Sequence, residues 1–128
     1  MTRRFVAFGL LLLLGLTSAC DSGPEGPGDL TGTLQAPDVQ VGAVVLEVVG
    51  GGIEGFSSAG GNKVFWAQQD DPARYRVVVV GENPGEISFT VSVRNLGGQN
   101  PRATVVNAVD LSNRPLPVTG DYRIRFRR

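Results

Sequence analysis

The chain has 128 residues, which is enough for one domain of ordinary size with a fairly small core. Its 12 Lys and Arg residues balance 12 Asp and Glu residues, which argues against generic nucleic-acid binding, since that needs a clustered positive field. Histidine is absent, which excludes histidine-based triads, zinc sites and proton shuttles. The 18 glycines and 8 prolines favour a β-protein with many turns, and no cofactor is predicted.

The N-terminus has the three parts of a secretory signal. Residues 1–4 are short and basic, residues 5–16 form an apolar run of 12, and small residues close the segment at Ala19. A transmembrane helix needs about 20 apolar residues, so this run is too short to be a membrane anchor. Residues 1–19 are therefore predicted to be a signal peptide. They contain two of the 12 basic residues, which leaves 10 against 12 acidic ones, a net charge of −2.

The end of this segment, Leu16-Thr17-Ser18-Ala19-Cys20, resembles the lipobox of bacterial lipoproteins, in which small residues precede a cysteine. The resemblance implies that Cys20 is lipidated, with palmitate-type acyl chains, and becomes the new N-terminus. Cys20 is the only cysteine, so no disulfide partner competes for it. The family prefers an aliphatic residue where this chain has Thr17, and ordinary cleavage after Ala19 stays open as the alternative.

Residues 20–29 are predicted to be a flexible linker. They read Cys-Asp-Ser-Gly-Pro-Glu-Gly-Pro-Gly-Asp, and none of them after the cysteine is an apolar residue able to join a core. Glycine and serine give flexibility while proline adds stiffness, so the segment is suited to hold the following domain, residues 30–128, clear of a membrane surface.

That domain is predicted to contain about eight short strands. In chain order they cover residues 30–35, 41–49, 53–57, 63–69, 75–80, 86–94, 103–109 and 121–127. The clearest alternation places four apolar residues on one face, Ile87, Phe89, Val91 and Val93. The last strand repeats this pattern, with Tyr122, Ile124 and Phe126 opposite a row of arginines.

Continuous valine runs in residues 41–49, 75–80 and 103–109 indicate strands that are covered on both faces, or nearly so. Turn signals rich in Gly, Pro, Asn and Asp separate the strands. No window of 11 or more residues after the signal has a helical period. Together these patterns predict an all-β fold, an antiparallel β-sandwich of jelly-roll or immunoglobulin-like type.

Three segments resemble the cohesin-like family of jelly-roll sandwiches, which is related to carbohydrate-binding modules. Residues 42–49 resemble its Gly-Ala-Val-x-Leu-x-Val stretch, residues 84–93 its Ile-x-Phe-x-Val strand, and residues 104–118 the segment before its final strand. The resemblance runs from about residue 32 to residue 126 and implies a sandwich that binds protein or polysaccharide. The chain is shorter than a usual cohesin between residues 49 and 64, so no individual binding residue is carried over.

Aromatic residues provide the first candidate binding site. Phe65 and Trp66, with Tyr75, are suited to a platform that stacks on sugar rings. Neighbours in a strand point to opposite faces, so at most one of Phe65 and Trp66 lies in the core. If Phe65 is the core residue, Trp66 is exposed, and we take Trp66 and Tyr75 as candidate ligand-binding residues. The alternative is that Trp66 packs under a loop.

The last strand provides a second candidate. Arg123, Arg125 and Arg127, extended by Arg128, place positive charges on one face, which lipid headgroups or anionic polysaccharide are able to contact. The plainer interpretation is a solvated face that also discourages edge-to-edge aggregation.

Other polar groups give weaker signals. Asp70-Asp71 before Pro72 lacks the Asp-x-Asp-x-Asp pattern of a calcium loop, so a solvated turn is favoured and no metal site is predicted. The glycine runs at residues 50–52 and 60–61 lack the Lys-Ser/Thr of a phosphate loop and favour ordinary loops. No pattern places two of the glutamates as a hydrolytic pair, so no catalytic residue is predicted and a small enzyme is disfavoured.

These features predict a lipoprotein anchored through Cys20 to a membrane of the bacterial cell envelope, facing the periplasm or the exterior. Its sandwich is predicted to be a non-catalytic binding module for protein or polysaccharide, with nucleic acid excluded as a partner. The alternative is a structural or assembly lipoprotein that binds another envelope protein, for example by strand addition at an open sheet edge. The sequence leaves open which membrane carries the anchor.

Overall fold

The computed structural model describes residues 26–37, 40–82 and 86–128. These residues form nine β-strands and no helix: β1 (Gly28–Gln35), β2 (Val41–Val49), β3 (Ile53–Ser58), β4 (Asn62–Gln68), β5 (Arg74–Gly81), β6 (Ser88–Val93), β7 (Arg102–Asp110), β8 (Pro115–Leu116) and β9 (Arg123–Arg127). Eight of them match the predicted strands to within two residues at either end, and the two-residue β8 is the addition. The predicted signal peptide and Cys20 lie outside the described residues.

The strands form two antiparallel sheets, which confirms the predicted β-sandwich. One sheet has four strands in the order β3-β6-β1-β9, and the other has five in the order β4-β5-β2-β7-β8. Among the described pairs, only β4–β5 and β7–β8 join consecutive strands, because the chain crosses from one sheet to the other at the remaining connections. Strands β3, β9, β4 and β8 lie at sheet edges.

The core lies between the two sheets and follows the alternation of the sequence. Residues 87, 89, 91 and 93 all point inward, as predicted, and Phe89 and Val91 are fully buried. Phe89 packs edge-to-face against Phe126 of β9, with ring centroids 6.0 Å apart and an interplanar angle of 86°. Gly32 of β1 lies against both rings, and its lack of a side chain leaves the space that they occupy.

The valine runs bury alternate residues only. In β2, Val44, Leu46 and Val48 belong to the core, while Val45 and Val49 are half-buried on the outer face. No element of the described chain packs against this outer face. The valine runs predicted strands covered on both faces, or nearly so, and the structure covers only the inner face. Valine favours these positions all the same, because its branched side chain packs against cross-strand neighbours such as Val45 against Val78.

Exposed ion pairs contribute little to the fold. Lys63 Nζ lies 2.8 Å from Glu82 Oε1, and the hydrogen bond and attraction of this carboxylate raise the pKa of Lys63. Both side chains are at least half exposed, so solvent screens the pair. The buried apolar residues between the sheets therefore provide most of the stabilisation.

Asn62 fixes the start of β4. It is the first residue of the strand and is buried, and its Nδ2 donates to the carbonyl oxygens of Ala59 and Ser88 at 3.0 Å each. Gly60, in the preceding turn, has a φ of 63°, which glycine adopts without strain. These bonds tie the turn between β3 and β4 to β6 and position the strand that carries Phe65 and Trp66.

The N-terminal end of the described chain is held against the loop after β6. Gly26 N donates to Asn95 Oδ1 at 3.2 Å, and Leu96 N donates to Gly26 O at 2.8 Å. Arg128, the last residue, donates from Nη2 to Leu96 O at 2.7 Å. Both chain ends of the described domain therefore meet at one end of the sandwich.

Candidate functional site

A cleft of about 470 Å³ opens at the end of the sandwich where β2 passes into β3. We call it the Trp66 cleft. Its walls come from the loop after β2, from β4, from the turn before β5 and from the residue that follows β6; the lining residues are Gly50, Gly51, Gly52, Ile53, Glu54, Trp66, Gln68, Pro72, Ala73, Tyr75 and Arg94. The volume is within the range of small-molecule sites.

Trp66 lies at the rim of this cleft. It pairs with Val77, a fully buried residue of β5, so its side chain is on the inner face of the sheet. Its ring packs against Phe56 and Tyr75, at centroid distances of 5.4 and 5.9 Å. Because β4 is an edge strand, this packing does not enclose the ring, and Trp66 stays 43% exposed. An aromatic ring held in place yet open to solvent is suited to stack on a ligand.

Phe65 points to the opposite face, as the strand geometry requires. It pairs with Val78 on the outer side of the five-stranded sheet and is 59% exposed. Phe65 is therefore not the core residue of this pair, and Trp66 points inward instead. Both rings retain exposure because an edge strand has a neighbour on one side only. Phe65 and Trp66 do not form a joint platform.

Tyr75 lines the cleft beside Trp66 but is itself buried, with 7% exposure. Its hydroxyl donates to the carbonyl oxygen of Ile53 at 3.2 Å. It also packs edge-on against Phe56, with ring centroids 5.4 Å apart. The sequence analysis predicts both Tyr75 and Trp66 as ligand-binding residues. The structure places their rings side by side, with the buried ring of Tyr75 packed behind the exposed ring of Trp66.

Three polar side chains complete the cleft. Gln68 Nε2 donates to Pro72 O at 2.8 Å, which orients the amide, and its Oε1 accepts no hydrogen bond from the described residues. Arg94 Nε lies 3.9 Å from Glu54 Oε1, and both side chains are more than half exposed. Such a loose, solvated pair is weak, so both groups are able to exchange it for hydrogen bonds to a ligand. Amide, carboxylate and guanidinium together offer donors and acceptors for hydroxyl groups.

A second cleft, of about 390 Å³, adjoins the first. It shares Gly51, Gly52 and Arg94 with the Trp66 cleft and continues past the loop after β6; its other lining residues are Leu30, Val93, Asn95, Leu96, Gly98, Gln99 and Asn100. A Cβ atom at Gly51 would meet nothing within 4 Å, so Gly51 leaves open space at the shared rim. The two clefts adjoin along Gly51, Gly52 and Arg94.

Two carboxylates outside the cleft, those of Asp71 and Glu47, have structural partners. Asp71 Oδ1 accepts a hydrogen bond from Ala73 N at 3.0 Å, which is the turn that the sequence favoured at this position. Glu47 pairs with Arg74 at 2.7 Å. Among residues 26–37, 40–82 and 86–128, no three acidic side chains come close enough to hold a metal ion.

The arginines of β9 lie away from the Trp66 cleft. Arg123, Arg125 and Arg127 are exposed on the outer face of an edge strand, and Ile124 and Phe126 pack against the core, as predicted. Arg125 and Arg127 line a separate concavity, but Arg123 does not. Its Nε donates instead to Gly120 O at 3.1 Å.

No sequence pattern marks Gln68 or Arg94, and Glu54 is one of the glutamates for which the sequence places no hydrolytic partner. The three come from β4, the loop after β6 and β3, and only the crossing of the chain between sheets brings them together. The run Gly50-Gly51-Gly52 predicts the loop at the cleft, but it does not predict the side chains that line the cleft around this loop.

Comparisons with protein-family models, with curated proteins and with solved structures found no match to this chain. Within the described part of the chain, no helix has the length and apolar character needed to cross a bilayer.

Proposed function

We propose that this chain is a lipid-anchored binding module of the bacterial cell envelope, located outside the cytoplasm, whose Trp66 cleft binds polysaccharide without catalysis. The observation that carries the proposal is Trp66 itself, a half-exposed ring fixed on one side by Phe56 and Tyr75 and flanked by polar side chains. Its ring takes the apolar face of a sugar, and Glu54, Gln68 and Arg94 exchange hydrogen bonds with hydroxyl groups.

Two further observations support binding over catalysis. Glu54 is the one carboxylate among the residues that line the cleft, whereas glycoside hydrolysis generally uses a pair. The cohesin-like segments of the sequence, related to carbohydrate-binding modules, favour the same conclusion. The anchor rests on the signal-like residues 1–19 and on the lipobox resemblance that ends at Cys20.

Replacing Trp66 with alanine is expected to lower glycan affinity about fivefold or more, because stacking on an aromatic ring contributes on the order of 1 kcal/mol or more. A glycan array of plant and bacterial polysaccharide fragments identifies the probe, and calorimetric titration measures its affinity. Phe65→Ala is the matched control, since it removes a more exposed ring from the other face of the same strand. Equal loss in both variants, or no array signal for the unaltered chain, contradicts the proposal.

Replacing Cys20 with alanine is expected to release the protein from the membrane fraction. The unaltered chain should partition with membranes, and its N-terminal peptide should carry the added mass of acyl chains, because Cys20 is the only thiol available for lipidation. Fractionation and mass spectrometry of that peptide provide the measurement. A Cys20→Ala protein that remains with membranes, together with an unmodified peptide in the parent, means that the anchor assignment is wrong.

A structural or assembly lipoprotein is the second candidate, and one edge of the fold favours it. β3 is the edge strand opposite β9 in the four-stranded sheet, and it carries one charged residue, Glu54, whereas β9 carries three arginines. An edge with few charges is the one open to strand addition by a partner. Recovery of one stoichiometric envelope protein by crosslinking, with no glycan signal, would favour this function.

A further inference from the structure

The outer face of the four-stranded sheet carries an ordered array of hydroxyl and guanidinium groups. Thr31 of β1 pairs with Arg127 of β9, and Thr33 pairs with Arg125. Directly paired residues point to the same face, so each threonine lies beside an arginine. On the other side of β1, Thr31 pairs with Thr90, which extends its row with a further hydroxyl. Thr33 pairs with Ser88, whose Oγ instead donates to Ala59 O at 3.4 Å and accepts from Asn62 Nδ2 at 3.3 Å.

This array forms a concavity of about 350 Å³. Its lining residues are Thr31, Thr33, Gln35, Glu86, Arg125, Arg127 and Arg128, so three guanidiniums and two hydroxyls face one carboxylate. Arg128 is held in place by its bond to Leu96 O, at 2.7 Å. The bond from Leu34 N to Ile87 O continues the register of β1 and β6 past the pair of Thr33 and Ser88. In this register Glu86 lies opposite Gln35, next to the threonines along the strand.

Within residues 26–37, 40–82 and 86–128, the guanidiniums of Arg125 and Arg127 have no acidic partner. The ion pairs within the described residues use Lys63, Arg74, Arg76 and Arg94, and none involves β9. Consecutive arginines on one side of a strand are about 7 Å apart, so an anionic chain lying along β9 meets a repeated positive charge. Guanidinium groups bind carboxylates and sulfates through paired hydrogen bonds.

We propose that this β1–β9 face is a second binding site, distinct from the Trp66 cleft, and that it takes an acidic polysaccharide. Arg125 and Arg127 bind its carboxylate or sulfate groups, and Thr31 and Thr33 bind its hydroxyls. Arg128 adds charge at the same end.

The composition of the face favours a polysaccharide over a lipid surface. The large exposed apolar residues of the described chain are Phe65, Trp66, Val106 and Leu111, and all lie on other strands or loops. The face therefore offers no apolar side chain for insertion into a bilayer. Its hydroxyl rows match a ligand that carries both anionic groups and hydroxyls.

The test uses the full chain and three immobilised polymers: polygalacturonate, dextran sulfate and neutral dextran. Binding to at least one of the acidic polymers is expected to be weakened by added salt and to be stronger than any binding to dextran. The double variant Arg125→Gln/Arg127→Gln should bind the acidic polymer at least about tenfold more weakly, because each of the two substitutions removes a charge-assisted hydrogen bond. Arg102→Gln/Arg114→Gln is the matched control, because it removes the same charge from exposed positions on other elements and should retain binding to within about twofold.

A third variant separates the polysaccharide from a lipid surface. Thr31→Val/Thr33→Val keeps every charge and should still weaken binding to the acidic polymer severalfold. Thermal unfolding checks that each variant is folded. The proposal is overturned if neither acidic polymer binds, if both arginine pairs give equal losses, or if the threonine variant binds fully while the chain also binds phosphatidylglycerol vesicles. Trp66→Ala should leave binding to the acidic polymer unchanged. A failure of the β1–β9 proposal is therefore distinguishable from a failure of the proposal that the Trp66 cleft binds polysaccharide.

Discussion

Replacing Phe89 with alanine is expected to lower the free energy of unfolding by about 3–5 kcal/mol. Phe89 is fully buried between the sheets, and its ring contacts Phe56 and Phe126 at centroid distances of 6.4 and 6.0 Å. Truncation removes the contacts with both rings and leaves a cavity that the strands cannot close without breaking their ladders. Such a loss is a large share of the total stability of a small domain, about 5–15 kcal/mol.

Urea unfolding followed by tryptophan fluorescence measures this change, with Trp66 as the chain's only tryptophan. Thr90→Ala is the control, because Thr90 is the next residue of β6, points to the outer face and should cost no more than about 1 kcal/mol. Similar losses in the two variants would mean that Phe89 does not occupy the core.

Replacing Gly32 with valine is expected to destabilise the domain by about 1–3 kcal/mol. A Cβ atom at Gly32 would lie 2.7 Å from Phe89 Cζ and 3.0 Å from Phe126 Cε1, closer than packed carbon atoms approach. Valine's preference for strands opposes this loss by up to about 1 kcal/mol and does not cancel it. Urea unfolding again measures the change, and Gly51→Ala is the control because a Cβ atom there meets open space.

The two core changes should be coupled. Truncation of Phe89 removes the ring that a valine side chain in place of Gly32 would strike, so the double variant should lose less stability than the two single losses combined. An interaction of about 1 kcal/mol or more is expected, with similar denaturant slopes for all four proteins. Strict additivity would place the two residues out of contact and contradict the packing of β1 against β6.

Sequence periodicity was enough to locate the strands and their inner faces. Ile87 to Val93 and Tyr122 to Phe126 alternate strictly, and burial follows the alternation because a two-residue period assigns each side chain to one face. The valine run of β2 was misleading, since a mostly apolar run with one charged residue, Glu47, does not distinguish a covered face from one that is only shielded by cross-strand neighbours. The order of the strands in each sheet was not predicted from the sequence.

The candidate site was predictable only in part. Trp66 and Tyr75 lie together because β4 and β5 form a hairpin, a local relation that strand patterns can reveal. Their polar neighbours come from distant segments: Arg94 is 40 residues after Glu54 in the numbering and meets it through the pairing of β3 with β6. The concavity on the β1–β9 face likewise needs a pairing of the first strand with the last, which no local pattern specifies.

If Cys20 is lipidated as proposed, the bonds that hold Gly26 to Asn95 and Leu96 limit how far the domain reaches from a membrane. With acyl chains on Cys20, six peptide units join the lipid to Gly26, and fully extended they reach at most about 20 Å. The second cleft includes Asn95 and Leu96, so this cleft lies at the end of the domain that Gly26 enters. A lipidated domain would therefore sample only the first layer of material above the bilayer, which favours thin single polymer strands over bulky particles as its ligands.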